Sequence, residues 1–456
     1  MRIDTDHGGL LVDLYHIDSA YVSWRTGHNP DVTFDLYARR HPFGGSFLLT
    51  AGLELAIDVV RKFRMTESDL SYLRTVRAYP PDFLTQLGRT RFTGTILAIP
   101  EGEIAFANEP MARVSGPFQE AILLESVLLH LIGVSTLIAT KAARVVRAAE
   151  GRDVSEFGFR RAQAPYLAAR AAYLGGCGST SFVDAARRFG VPTSGTIPHA
   201  IVELFDTEEE AFRAVAETLE RYTLLLDTYD VLAGADNAIR VAHEAQERWG
   251  HQLTAVRLDS GDLAADAYRV RRMFDGAGLA DVRILVSGDL DEWKVADLVA
   301  TGAPIDGFGA GTSLATGAGT NAMPGEGTAL AGVFKLVWVE GGRPPIKIAG
   351  EKSTWPGKKQ VVRIGNFARD IIQLDDEPVG AGGRPLLQTV IDRGDMASGG
   401  SYPLEEARAR AREQLSRFPD RFQQLDRPDE YPVLRSDRVI ALQHRAIDTI
   451  EQSQSG

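Results

Sequence analysis

Between about residue 150 and residue 340 the chain alternates in one way. A short run of apolar or β-branched residues ends in a Gly/Ser/Thr/Asp cluster, and a stretch with apolar positions three and four apart follows. The runs are Ser155–Phe159, Val191–Gly195, Thr223–Leu226, Thr254–Leu258, Val282–Val286, Ile305–Gly309 and Val333–Val337. Most start about 25–35 residues apart, the length of one strand-plus-helix unit. Between them, Asp206/Thr207 ahead of Glu208-Glu209-Glu210 has the chemistry of a helix start, with Phe212, Val215, Leu219 and Tyr222 as its apolar stripe. Leu263, Ala267, Val270 and Phe274 form another stripe, which Gly276 and Gly278 stop. Seven such units predict a parallel sheet with helices outside, as an open doubly wound sheet or a barrel. No G-x-G-x-x-G follows the first run, so a barrel is expected rather than a dinucleotide-binding sheet.

The flanks lack this alternation. Helical stripes at Phe47–Arg61 and Glu67–Val76 mix with strand-like pieces at Val32–Tyr37 and Gly94–Ala98. Beyond residue 345, Gly/Pro-rich strand pieces precede helices at Leu404–Phe418 and Val439–Gln452. The predicted organisation is an α/β barrel over residues 116–339 and a discontinuous α+β domain from residues 1–115 and 340–456.

Composition narrows the class. With 456 residues and 44% hydrophobic residues, disorder as the main state is excluded, and two or three domains are expected. The net charge of −11 argues against nucleic acid as partner, since phosphate-backbone binding needs clustered Lys/Arg. The single cysteine, Cys177, forms no intrachain disulfide or cysteine-ligated zinc site, which suits a reducing cytoplasm. Residues 1–7 have no basic start leading into an apolar run, so no signal peptide is read there. The apolar stretch Ala121–Ala139 nearly reaches membrane-spanning length, but it carries Glu125 and His130 and runs on into Lys141 and Arg147. It is expected to be a buried helix of a soluble protein.

In a barrel the residues just after each strand form the active face. Asp227-Thr228-Tyr229-Asp230 and Arg257-Leu258-Asp259-Ser260-Gly261-Asp262 put carboxylates and an arginine there. One helix cap needs one side chain, and each loop offers several, so Asp227, Arg257 and Asp259 point to ligand binding. Capping accounts for Asp230 and Asp262 equally well. Ser287-Gly288-Asp289 and Gly309-Ala310-Gly311-Thr312 close the late strands, where backbone N–H groups often cradle a phosphate. His199, after Thr196-Ile197-Pro198, offers an imidazole that can serve as base, metal ligand or phosphoryl acceptor. Neither H-E-x-x-H nor a paired-His spacing occurs, so no stable metal site is expected, and there is no G-x-S-x-G or Walker A sequence either. Unaided, these residues describe a barrel enzyme acting on a phosphorylated, hydroxylated small molecule.

Several strings in order resemble the nicotinate phosphoribosyltransferase family. Leu11-Val12-Asp13-Leu14-Tyr15 is similar to its L-x-D-x-Y signature, and Phe34-Asp35-Leu36-Tyr37 with Pro42-Phe43-Gly44-Gly45 to the segment after it. Gly94 to Pro110 resembles G-x-x-x-A-x-P-E-G-x-x-x-F-x-x-E-P. The run from Glu156 to Gln163, then Asp227–Asp230, Arg257–Asp262 and Gly332–Val337, continue the likeness, which ends at Pro356–Val361. The resemblance implies an irregular α/β barrel of the type II phosphoribosyltransferase kind, with a second domain built from both chain ends. It implies nicotinate and phosphoribosyl pyrophosphate as substrates, with magnesium, and ATP assisting through a transient phosphohistidine.

Carried over by motif, His199 is the phosphorylated histidine and Asp227 its orienting carboxylate. Phe157 and Tyr15 sandwich the pyridine ring, Tyr15 from a partner subunit of a homodimer or larger homo-oligomer. Thr196 and Arg257 face the nicotinate carboxylate and Arg160 the pyrophosphate. Asp259 holds the ribose hydroxyls, while Ser287, Gly288, Gly309, Gly311 and Thr312 serve the phosphoribosyl group, the glycines and Thr312 at its 5-phosphate. The larger members usually read G-T-x-A-H-S at the histidine, whereas this chain has Pro198 before it and Ala200 after it. Cys177 stands where the family's G-G-F-x-G-T-S has Phe. Nicotinamide in place of nicotinate, and a non-catalytic phosphosugar-binding module, are the competing readings. The hydroxyls and lack of an acid in Gly178-Ser179-Thr180-Ser181 favour nicotinate.

Overall fold

The structure, a computed structural model, describes residues 8–318, 329–348 and 354–455, so the segment read above for a signal peptide lies outside the described residues. The chain divides into two units, Met1–Thr140 with Ala329–Gly456, and Lys141–Thr328. The boundaries differ from those expected at 116 and 339. The first falls inside the long helix Glu125–Ala148, and the strand Gly332–Val339 goes to the other unit.

In the unit Lys141–Thr328 six parallel strands form one sheet. In chain order they are Asp153–Glu156, Ser179–Thr180, Arg221–Leu225, Gln252–Leu258, Arg283–Ser287 and Gly307–Ala310. Their order in the sheet is second, first, sixth, fifth, fourth, third. The first strand therefore pairs with the sixth (Phe308 opposite Val154), which curls the sheet back on itself. Among the described residues no ladder joins the second strand to the third, so the α/β barrel is open on that side. Val191–Gly195 is not one of the strands. Pro192 removes a donor, and only an isolated bridge between Thr193 and Thr180 forms. The helices pack by part of the stripes the sequence shows: Leu219, 46% exposed, only caps the helix Glu208–Thr218, and Tyr222 belongs to the strand Arg221–Leu225. Thr207 accepts from Glu210 N to cap Glu208–Thr218, whose Phe212 and Val215 are buried. Ala267, Val270 and Phe274 bury one face of Leu263–Gly276.

The other unit is rich in antiparallel strands. Asp31–Ala38 lies between Gly332–Val339 and Ala112–Pro117. Val333–Val337, expected in the barrel, thus sits here, with Phe34 stacked on Phe334 at 4.6 Å. A second sheet joins Gly383–Pro385, Lys359–Ile364, Arg369–Leu374 and Val433–Arg435. Both chain ends contribute to this unit's apolar core, as Phe34, Ile57 and Leu84 share it with Val361, Leu387 and Ile391. Apolar enough to span a bilayer, the stretch Phe118–Ala148 is instead mostly buried within the protein, Leu128, Ile132 and Ile138 included.

Candidate active site

The C-terminal ends of the barrel strands carry one connected polar network. Arg257, next to last in the strand Gln252–Leu258, reaches three groups with one fork. Its Nε donates to Ser287 Oγ at 2.9 Å, Nη1 donates to Thr196 Oγ1, and Nη2 lies 3.0 Å from Asp259 Oδ1. Ser287 Oγ in turn donates to Asp259 Oδ1. Burial pushes the Asp259 carboxyl up, but the Ser287 hydrogen bond and the Arg257 charge outweigh it, so the carboxyl is held below its ordinary range. Asp227 closes the next link. Its Oδ2 accepts from Asp259 N (3.0 Å) and Ser260 Oγ (2.6 Å), while Oδ1 is buried without a hydrogen-bond partner among the described residues.

Beneath this network lies a cavity of about 230 Å³, lined by Phe157, Ser179, Thr196, Arg257, Ser287 and Gly309 among others. Thr196, Arg257 and Phe157, expected at the base, therefore share one cavity, and Ser287 and Gly309 join them. Glu156, which the sequence reading left without a role, holds the turn that presents Phe157. Its carboxylate accepts from Gly158 N (2.5 Å) and Thr180 Oγ1 (2.6 Å). Burial keeps its pKa above the ordinary range against both donors. At the opposite end of the cavity Arg283 pairs with Asp153 at 2.6 Å.

Two glycines are required by close approach. Gly288 has φ 103°, and a Cβ there would stand 2.1 Å from Asp259 O. At Gly309 a Cβ would stand 2.6 Å from the Phe157 ring, so this glycine makes room for the phenyl group. Gly311 has no such constraint, as its Cβ would find its nearest neighbour at an ordinary 3.5 Å. Thr312 opens the short helix Thr312–Thr316. Gly288→Ala is expected to shift the backbone carrying Asp259. It should raise the KM for the phosphorylated substrate about tenfold or more and cost about 1–3 kcal/mol of stability. Substrate titration and thermal melts check both.

His199 begins the helix His199–Glu203, and its Nδ1 lies 3.1 Å from Thr228 Oγ1. The expected orienting hydrogen bond from Asp227 is not among those His199 makes; Asp227 Oδ2 accepts from the loop after the fourth strand. Thr228 fills that place. It was missed because it pairs across two loops 29 residues apart, and only its position one after Asp227 hinted at it. Asp230 and Asp262 cap helices, accepting from Leu232 and Ala233 N and from Ala265 N respectively. Arg160 and Arg161 are exposed on the turn after the first strand. Tyr15, 56% exposed on the helix Leu14–Thr26, belongs to the other unit.

A curled parallel sheet with an arginine-centred polar network over an aromatic-lined cavity defines a barrel enzyme that handles a flat anionic ring and a polyhydroxylated partner. Two family models match, the nicotinate phosphoribosyltransferase N-terminal domain over residues 10–133 and its C-terminal domain over residues 381–443. A nicotinate phosphoribosyltransferase of Mycobacterium tuberculosis is 39% identical, covering 96% of this chain and 94% of its own length. That of Bacillus subtilis is 38% identical, with coverage of 94% and 93%. The crystal structure of human nicotinic acid phosphoribosyltransferase superposes with a TM-score of 0.83 at 31% identity, covering 96% of this chain and all of that one. A nicotinate-nucleotide pyrophosphorylase from Pyrococcus furiosus shares the fold, with a TM-score of 0.73 at 24% identity. The chain belongs to the nicotinate phosphoribosyltransferase family.

Proposed function

We propose that the chain transfers the phosphoribosyl group of phosphoribosyl pyrophosphate to nicotinate, giving nicotinate mononucleotide and pyrophosphate for NAD synthesis in the cytoplasm. The observation that carries this reading is Arg257, a guanidinium already organised by Ser287, Thr196 and Asp259 in a cavity that also holds the Phe157 ring. A planar aromatic carboxylate satisfies both groups together, the ring against Phe157 and the carboxylate on Arg257 and the Thr196 hydroxyl. Nicotinate N1 then attacks ribose C1, the bond to the pyrophosphate oxygen breaks, and Asp259 accepts hydrogen bonds from the ribose hydroxyls. Arg160 on its exposed turn is free to meet the leaving group.

Among the described residues no three His, Cys, Asp or Glu groups converge to hold a metal. The unpartnered Asp227 Oδ1 nevertheless suits a cation or its bound water. Magnesium therefore fits as a companion of the pyrophosphate: Asp227 and Asp259 would face it, and it would supply charge neutralisation to the departing group. ATP acts through His199. Purified protein incubated with nicotinate, nicotinamide or quinolinate, with and without ATP, tests the reading. Mononucleotide and pyrophosphate from nicotinate alone are expected, and preference for either other base overturns it.

Tyr15 is proposed to complete the site of a neighbouring copy in a homodimer or larger homo-oligomer. Support comes from its 56% exposure on a helix that the L-x-D-x-Y segment opens. Mixing Tyr15→Ala and His199→Ala proteins, each without the ATP-stimulated rate, is then expected to restore, at random pairing, about a quarter of that rate through hybrid sites. A fully active monomer in sedimentation contradicts it.

A further inference from the structure

In the unit formed by both chain ends, a cavity of about 250 Å³ is walled by Arg363, Arg384 and Arg417, with Asn366, Phe367 and Gln414 between them. The three guanidiniums arrive from separate elements: the strands Lys359–Ile364 and Gly383–Pro385 and the end of the helix Leu404–Arg417. None has a part in the reaction above.

Arg363 is 2% exposed, and its bonds leave one nitrogen over. Nε and Nη2 grip the Asp370 carboxylate at 3.0 and 2.6 Å, and Nη2 also donates to Ile104 O at 2.8 Å. Nη1 is buried with no hydrogen-bond partner among the described residues. The Glu103 carboxylate is 3.8 Å from it and already accepts both N–H groups of Arg384, at 2.9 and 3.0 Å. Buried donors are normally satisfied, so an acceptor is missing here. The Phe367 ring, 4.4 Å from the Arg363 guanidinium carbon, faces that group. Among the described residues Arg417 is held only by an exposed pair with Glu413, which costs little to break. Burial and the neighbouring Asp370 push the carboxyl of Glu109 well above the usual carboxylate range, against the pull of the Arg363 charge.

We propose that this cavity is a second anion site, taking a phosphate-type oxyanion between the Arg363 and Arg417 guanidiniums, with the Gln414 amide as a further donor. Guanidiniums converging from several directions suit an anion with three or more acceptor oxygens better than a halide or a planar carboxylate. The glutamates and aspartates around the cavity offset much of its charge, so binding is in the millimolar range. The ligand's source is free phosphate, pyrophosphate or the phosphoryl end of a nucleotide.

Hydrogen exchange on the full-length protein tests this, in about 10 mM inorganic phosphate against chloride of equal ionic strength. Peptides over residues 363–370 and 410–418 report this cavity, and peptides over 287–312 report the barrel site separately. Phosphate is expected to slow exchange in the first pair about threefold, the factor 1 + [L]/Kd for a Kd of about 5 mM. Arg417→Gln should abolish that protection and leave the response at 287–312 intact. Gln414→Glu, which points a carboxylate into the cavity, should do the same and covers the case in which the first variant fails to fold. Pyrophosphate and adenosine monophosphate arms identify the source, and protection by any of the three supports the site. No protection at 363–370 and 410–418 by any of them, or an unchanged response in both variants, overturns it.

Discussion

Arg257→Ala is expected to lower kcat/KM for nicotinate about 30- to 1000-fold, or about 2–4 kcal/mol, chiefly through KM. The side chain is 17% exposed and has more than one duty. It offers the charge for the nicotinate carboxylate, and it also holds Thr196, Ser287 and Asp259 in place. Arg257→Lys keeps a charge but cannot make three directed contacts from one ammonium, so an intermediate loss is expected. The pH profile adds a second readout. In the wild type the Asp259 carboxyl lies below its ordinary range, so its stabilising contribution is complete above that range and is lost only as pH falls through the lowered value. Without Arg257 the opposing burial gains weight, the carboxyl titrates higher, and the acid limb of the rate profile moves up. Steady-state kinetics across pH in a variant whose melting curve shows it folded decide the matter. Unchanged nicotinate kinetics would remove Arg257 from the base pocket.

The longer barrel strands are the ones their sequence announces. Thr223–Leu226, Thr254–Leu258 and Val282–Val286 are mostly apolar runs, and the strands they form bury one set of alternate residues fully and leave most of the others half-buried. Ser179–Thr180 is two residues long, and no periodicity can be read from two residues. Val333–Val337 has the same local pattern as a barrel strand. What sends it elsewhere is its antiparallel register with Asp31–Ala38, some 300 residues away, which no local reading contains.

The site divides along the same line. Arg257, Asp259 and Ser287 were legible because a polar residue at the end of an apolar run has few reasons to be there, whereas Thr196 came from the family resemblance. The pairing of each was not. Asp227 turns to the backbone of Asp259, and His199 to Thr228, through the approach of loops from different βα units. Asp230 and Asp262 show the reverse case, where residues placed like ligands satisfy their own helix termini.

The last expectation concerns His199 and ATP. In the tautomer with its proton on Nδ1, the ring donates to Thr228 Oγ1 at 3.1 Å, which leaves the Nε2 lone pair free to take a phosphoryl group. An Nε2–P bond would form as the bond from the γ-phosphorus to the bridging oxygen breaks and ADP leaves. The added charge would sit close to Asp259, whose ionisation already responds to His199. His199→Ala should therefore abolish both acid-labile phosphate on the protein and ATP hydrolysis. A slow, ATP-independent transfer should persist, because Arg257, Phe157 and Ser287 build the cavity without it. Thr228→Val separates orientation from chemistry. It keeps the imidazole but removes the partner that fixes its tautomer, a loss of about 0.5–1.5 kcal/mol, so phosphorylation should slow by up to about tenfold without vanishing. Labelling with γ-labelled ATP, followed by acid and alkaline quench, reads both variants directly. Label that survives in His199→Ala, or equal stimulation of that variant and the wild type by ATP, would make His199 a structural residue and leave ATP acting elsewhere.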